Sequence, residues 1–514
     1  MSSFKRLKHS KAARNAAAAY FAFFSSAVSG FISISIAVSF LNKEEIGLWT
    51  AVNAMMAYLL WMDLGVGYAT GRMMAEAVVA KDQHEINNWW TLTQIALWAI
   101  GVLITILGLL CIPLFIYVFK VPPNLQHDAW ILLGGSAVIT GLNLPLRAVT
   151  GLLTAQERFH WVSICQGAMP WVQVTGFYFM LTRGHGTTSY LWGTALSQFF
   201  VLIYYRSLVL TSAQRPRWIR HGFNRERLKT LLSYSLKMTV VNFKETILQN
   251  LPTMILARHG GLVAIPVYSI TSRGPAMAGS LAIRNMHAFY PSLVNLYVVG
   301  EKELFLAKHR LMATITLSVA MCAACGVLLF NPCFVELIAG RDFYAGSNLN
   351  IWFAIATITI PMSAVYSYLL QISGNIGKGP WVAILSLVVS FPTAILAFNG
   401  FGLPGLAAVI ALDPLVFGWY GFVRGARNAN YKLSDFSSTP IVLSIAICLL
   451  IGLSGVAMDH LPSSGYTFTL GHKTSTLPGF YQWIIVIPMI MSAIGLGIHS
   501  MKQQSTIKGS DRAV

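Results

Sequence analysis

The chain has 514 residues, of which 55% are hydrophobic and 11% charged, at a mean hydropathy of +0.61. A soluble globular chain carries about 25% charged residues, so the composition excludes that class and predicts an all-α polytopic membrane protein. A membrane β-barrel would instead alternate apolar and polar residues over ~10-residue segments. The net charge of +18 would point to nucleic acid in a soluble protein; here it is first an orientation signal, and no nucleic-acid partner is expected.

Crossing a ~30 Å hydrocarbon core takes roughly 20 mostly apolar residues. About fourteen segments qualify, near 16–41, 47–70, 92–119, 129–153, 161–182, 188–210, 231–257, 262–290, 309–332, 349–373, 380–399, 402–424, 439–457 and 480–500. The N-terminal MSSFKRLKHSKAARNAAAAYF has a signal-like start, but its apolar stretch continues through FISISIAVSFL and reads as a retained first span. With a cytoplasmic N-terminus, 28 of the 36 Lys and Arg lie in or beside cytoplasmic segments. Six lie outside (Lys43, Lys120, Arg183, Arg258, Arg341, Lys473) and two within the membrane (Lys244, Arg273). Positive residues collect on the cytoplasmic side of membrane proteins, so both termini are expected there, with anionic lipids as contacts.

The organisation expected is an N-lobe over 1–210 (spans one to six), a basic cytoplasmic linker over 211–230, and a C-lobe over 231–430 (spans seven to twelve). Spans thirteen and fourteen and a cytoplasmic tail occupy 431–514. The linker carries Trp218 and Phe223 among its arginines and reads as an amphipathic elbow at the membrane surface. A faint internal echo overlays Ile46–Trp49 on Ile265–Tyr268, and with them span one on span seven. Parallel six-helix repeats with substrate held between them are a common transporter plan. The Met458–Gly479 gap reads as an outward loop too short for a catalytic domain.

A charge at the bilayer centre costs at least ~2.5–3.5 kcal/mol and marks a bundle interior or a wet cavity. Lys244 and Glu245 sit halfway along span seven, and Arg273 near the middle of span eight, followed by Gly274 and Pro275. Proline removes a backbone donor, so Gly274, Pro275 and Pro252 are candidate hinges. Two mid-membrane cations beside a broken helix predict an anionic substrate group; the competing role for either is a structural ion pair, with Glu245 or another acid. Arg72, Arg147 and Arg284 lie nearer the cytoplasmic side, where Arg72 and Arg284 also suit snorkelling ends. Asp63, Glu245 and Asp413 are candidates for ion coupling, Asp413 alternatively pairing with a buried Arg or capping a broken helix. The six cysteines and twelve histidines show no metal spacing; no metal and no cofactor are expected.

The stretch EEIGLWTAVNAMMAYLLWMDLGVGYATGRMMAE, through Gly47, Leu48, Trp49, Asp63, Leu64, Gly65, Gly67 and Arg72, resembles the second-span signature of polysaccharide flippases. MILARHGGLVAIPVYSITSR resembles their turn between spans seven and eight, and HAFYPSLVNL their span-eight exit. In length and span count the resemblance covers most of the chain and points to the O-antigen/polysaccharide (Wzx-type) branch of the multidrug/oligosaccharidyl-lipid/polysaccharide exporter superfamily. It implies a MATE-like fold of two six-helix lobes plus two extra C-terminal helices, and residence in a bacterial inner membrane. The implied activity is alternating-access movement of polyprenyl-diphosphate-linked oligosaccharide to the outer leaflet. The diphosphate would meet Arg273, Lys244, Arg147, Arg72 and Arg284. A monomer is implied, beside other polysaccharide-assembly membrane proteins.

Two departures matter. Lipid II flippases carry arginines within the first span, whereas no charge lies between Arg14 and Lys43 here, which argues against a peptidoglycan precursor. Multidrug members often carry an N-lobe acid, for which Asp63 is the sole candidate, so an ion-coupled multidrug or small-solute antiporter of the same fold is the alternative. A membrane polymerase, ligase or glycosyltransferase is disfavoured: no outward loop is long, and neither a DxD-like nor a paired-carboxylate motif is present.

Overall fold

The computed structural model describes residues 11–60, 62, 65–156, 158–212, 214–219, 225–372, 378–428, 439–458, 467–470, 473–476, 487 and 489–495. Sixteen helices are formed by these residues: α1 Lys11–Phe40, α2 Lys43–Leu60, α3 Val66–Val79, α4 Gln83–Leu110, α5 Ile112–Val118, α6 Gln126–Asn143, α7 Arg147–Ala155, α8 Phe159–Leu181, α9 Ser189–Leu210, α10 Arg225–His259, α11 Gly261–Val299, α12 Lys302–Ile338, α13 Ser347–Ile372, α14 Gly379–Phe401, α15 Leu403–Asn428 and α16 Thr439–Met458. Eight helical segments are long and apolar enough to cross a membrane: α1, α4, α6 with α7, α9, α12, α13, α14 and α15. This is a multi-pass, all-α membrane fold. Its one small exception is an antiparallel hairpin, β1 Thr467–Leu470 with β2 Lys473–Thr476, in the gap expected to be an outward loop.

The chain forms two compact units, Met1–Pro266 and Val267–Val514. In the first, α1 packs on α8, α8 on α9, α3 on α4 and α7, and α4 on α6, while α10 lies against α2 and α3. With lipid on one side and helix on the other, close helix crossings depend on small residues. Thus a Cβ at Gly101 would overlap the Gly141 carbonyl, and one at Gly71 would lie 3.3 Å from the Gly151 oxygen. Gly47 of the flippase-like signature has the same reason to be glycine: a Cβ there would overlap the Leu262 carbonyl.

Helix α2 starts on a capping box, in which Glu45 N–H donates to Asn42 Oδ1 (2.9 Å) and Asn42 N–H to Glu45 Oε2 (2.8 Å). Span two, expected as one helix over 47–70, ends as α2 at Leu60 and restarts as α3 at Val66. Gly65, at φ +67°, sits directly before the restart, a conformation that costs glycine least. Asp63 and Leu64 of the signature lie outside the described residues.

Part of the linker, residues 214–219, lies among the described residues and follows a defined course. Residues 214–219 are strapped along the start of α4: Arg217 N–H donates to Asn87 Oδ1 (2.7 Å), Ile219 N–H to Thr91 Oγ1 (3.1 Å), and Gln83 Nε2 to the Arg215 carbonyl (3.0 Å). Arg227 of α10 completes the strap with a 2.7 Å ion pair to Glu85. Backbone donors of an irregular segment need partners, and the amides and hydroxyls of EINNWWT supply them.

In the second unit α13 is the hub, packing on α12, α15 and α16, with α14 on α15. One buried cluster joins Leu317, Met321, Ile358, Ala411, Ile447 and Met489. The C-terminal Ile447 and Met489 thus belong to the core of this unit. Glycines 418, 421 and 425 form a ridge on α15 against α13; a Cβ at Gly425 would lie 2.7 Å from the Leu369 Cβ.

Candidate functional site

The predicted basic positions fall into two sets. In the first unit, Lys244 is half-buried and Glu245 exposed at the middle of α10, which packs on α2 and α3. Arg147 is half-buried at the first turn of α7, after the Leu144–Leu146 3-10 turn that Pro145 imposes. Gln94 Nε2 fastens that turn by donating to the Pro145 carbonyl (3.3 Å). Arg72 follows Gly71 on α3, and Gly71 meets Gly151, one turn beyond Arg147, at the α3–α7 crossing. The Arg72 side chain lies outside the described residues.

In the second unit, α11 carries Arg273 and Arg284. Eleven residues are three turns of an α-helix, so the two share a face about 16 Å apart along the axis. Between them on that face lie Ala276 and Ser280, both exposed like Arg273, and Met277, half-buried like Arg284. This gives a run of helix surface with a guanidinium at each end. A guanidinium offers a planar donor fork matched to phosphate oxygens.

Behind this stripe the helix is interrupted and repaired. Pro275 has no N–H, which leaves the Thr271 carbonyl without its helical donor. Asn331 Nδ2 of α12 fills the gap at 3.0 Å. Gly274 makes room for it, since a Cβ there would lie 2.7 Å from Asn331 Oδ1. Asn331 itself precedes Pro332, which strips the donor from the Leu328 carbonyl; Asn350 Nδ2 of α13 donates to that oxygen (3.4 Å) and to Val327 O (3.2 Å). Asn331 Nδ2 also donates to Asn350 Oδ1 (2.8 Å), so the two repairs are one network. Thr271 Oγ1 extends it by donating to the Phe343 carbonyl (3.0 Å) and accepting from Ala345 N–H (3.2 Å). Sequence reasoning picked out Gly274 and Pro275 but missed Asn331 and Asn350. The available signal was an Asn-Pro pair ending a long apolar run, with a second asparagine nearby. Pro252 is buried within α10.

Asp413 is buried on α15, 5% exposed, just before Pro414. Its Oδ1 accepts hydrogen bonds from Ser386 and from Ser390 (3.0 Å), one turn apart on α14. A buried carboxylate with hydroxyl partners can hold a proton or a small cation. No group of three His, Cys, Asp or Glu suited to a metal ion occurs among the described residues.

No family model matches this chain, and no curated protein sequence does. Its similarities are to solved structures. An inward-facing multidrug resistance MATE family transporter of the MOP superfamily superposes at TM-score 0.67 with 18% identity, covering 79% of this chain and 94% of that one. The lipid II flippase MurJ, in an inward closed conformation, superposes at 0.64 with 13% identity, covering 96% of this chain and 99% of that one. A MOP superfamily transporter from Pyrococcus furiosus, described as having reversed polarity in its binding pocket, superposes at 0.60 with 18% identity over 82% of this chain and 95% of its own. At these identities the likeness shows the fold: this chain has the MATE/MurJ fold expected from its sequence.

Proposed function

We propose that this protein is a flippase that carries polyprenyl-diphosphate-linked oligosaccharide from the cytoplasmic to the outer leaflet of a bacterial inner membrane by alternating access. The observation that carries the reading is the α11 stripe, with Arg273 and Arg284 at its ends. A diphosphate enters at the cytoplasmic arginines, Arg284 with Arg72 and Arg147, and is handed to mid-membrane Arg273 and Lys244. The polyprenyl tail stays in lipid. Gly274, Pro275 and Pro252 supply bending, and Asp413, Glu245 or Asp63 couples the cycle to a proton or cation. The basic stripe suits an anion better than a cationic drug, which favours a flippase over the multidrug antiporter alternative. The uncharged first span between Arg14 and Lys43 argues against lipid II as the cargo.

The test is complementation of a strain lacking its polysaccharide flippase, scored by surface polymer with membrane levels checked. Wild type is expected to restore polymer, Arg273→Ala to lose at least about 90% of it, and Arg273→Lys to keep part, because lysine retains charge without the fork. Full activity in Arg273→Ala would defeat the anion-stripe reading. Gradient-driven efflux of a cationic dye by purified protein would favour the antiporter.

A further inference from the structure

A saccharide on the move needs a surface of its own, distinct from the arginines that hold the phosphates, and the first unit contains one. Helix α2 is enclosed almost all round: along Lys43–Leu60 the single exposed residue is Asn53. A helix facing lipid would expose a stripe of large apolar side chains; here the exposed group is an amide, which lipid would leave unsatisfied. Tyr190 of α9 donates its hydroxyl to Asn53 Oδ1 (3.2 Å), and Asn53 Nδ2 is steadied by the Trp49 carbonyl (3.1 Å). The Tyr190 ring lies 4.7 Å from Trp49 and edge-on to Phe177 at 6.1 Å. One turn along α9, Thr194 accepts from Gln173 Nε2 of α8 (3.1 Å).

The direction of this surface is fixed by the opposite side of α9. Trp192, Leu196, Phe199 and Ile203 are all exposed and share one face, the pattern of lipid contact. Tyr190, Thr194 and Gln198, spaced by four residues, lie about 180° away from it. This polar stripe therefore faces the interior side of the helix. Trp49, 7% exposed, packs behind the Tyr190 ring, and its sealed Nε1–H has no hydrogen-bond partner among the described residues. Buried indole donors are normally paired.

Aromatic rings with a few fixed amides and hydroxyls are the equipment for a pyranose. The ring's C–H face stacks on the aromatic surface, while its hydroxyls exchange hydrogen bonds with side-chain amides. We propose that Trp49, Asn53, Tyr190 and Gln173 form a saccharide subsite in the first unit. Tyr190 provides the stacking face, Asn53 and Gln173 read hydroxyls, and Trp49 backs the platform. The inference rests on the flippase reading and deepens it. In the proposed orientation Trp49 and Tyr190 stand within a turn of the outer ends of spans two and six, so the subsite engages the glycan as it leaves.

The test is direct binding to purified protein in detergent, by native mass spectrometry. Its probes are two lipids: a polyprenyl diphosphate carrying one hexose or N-acetylhexosamine, and the bare polyprenyl diphosphate. Wild type is expected to favour the glycosylated lipid by about tenfold. Asn53→Ala, at an exposed position whose loss leaves packing intact, is expected to cut that preference below about threefold without changing binding of the bare lipid. Tyr190→Ala should abolish the preference, and Tyr190→Phe should retain part of it. Equal binding of both lipids by wild type, or variants that weaken both alike, would overturn the subsite. Binding of neither lipid would instead remove the flippase reading beneath it.

Discussion

Both units contain a membrane helix broken by proline, and they mend the break differently. In α8 of the first unit, Pro170 leaves the Gln166 carbonyl without a donor. Hydroxyls from α1 close it: Ser26 Oγ donates to Gln166 O (3.4 Å) and Ser25 Oγ to Gly167 O (2.7 Å), while Trp171 Nε1 donates to Ser25 Oγ (2.7 Å). The second unit uses amides instead, Asn331 for the Pro275 break and Asn350 for the Pro332 break, joined to each other. A hydroxyl splice ties two helices and rotates on one bond. The amide splice ties α11, α12 and α13 into a chain in which loosening one break removes a partner from the next. The first is a local patch; the second couples the arginine-bearing helix to two neighbours.

The sharpest way to break this contrast is Asn331→Leu. It leaves the Thr271 carbonyl and the Asn350 amide without their partner in a dry interior, at a cost of about 2–5 kcal/mol. The expected result is a large fall in thermal unfolding temperature in detergent, with transport lost in any protein that still inserts. Next is Gly274→Ala, whose Cβ meets Asn331 Oδ1 and forces the α11–α12 contact apart, costing about 1–3 kcal/mol by the same thermal assay. Smallest is Ser25→Ala, about 0.5–1.5 kcal/mol, since Ser26 and water remain within reach of the first unit's break. If Ser25→Ala cost as much as Asn331→Leu, the distinction between local and coupled splices would fall.

The contrast also marks what a single sequence can disclose. Prolines, mid-membrane charges and span lengths are properties of residues in order, so Pro275, Arg273, Lys244 and Asp413 stood out at once. The groups that answer them come from other helices. Nothing local links Asn331 to Thr271 across 60 residues, or Ser386 and Ser390 to Asp413. Gly47 was legible as part of a motif, but its reason, the Leu262 carbonyl, lies on a helix more than 200 residues away. Hydropathy alone predicted span two as continuous because Asp63 and Gly65 are flanked by apolar residues that keep the whole window apolar. The linker was read by its arginines and tryptophan, whereas its course is set by polar side chains in the first turns of α4.

That strap has a consequence for how the protein is made. The partners of Gln83, Asn87, Thr91 and Glu85 are encoded some 130–140 residues downstream. At roughly 5–20 residues per second of synthesis, the start of α4 waits on the order of 7–28 s after emerging before Arg217, Ile219 and Arg227 reach it. During that interval α6, α7, α8 and α9 must form beside an unfinished neighbour. The ribosome thus sets a minimum clock for completing the first unit, and rare codons between Gln83 and Arg227 would lengthen it without altering a single residue.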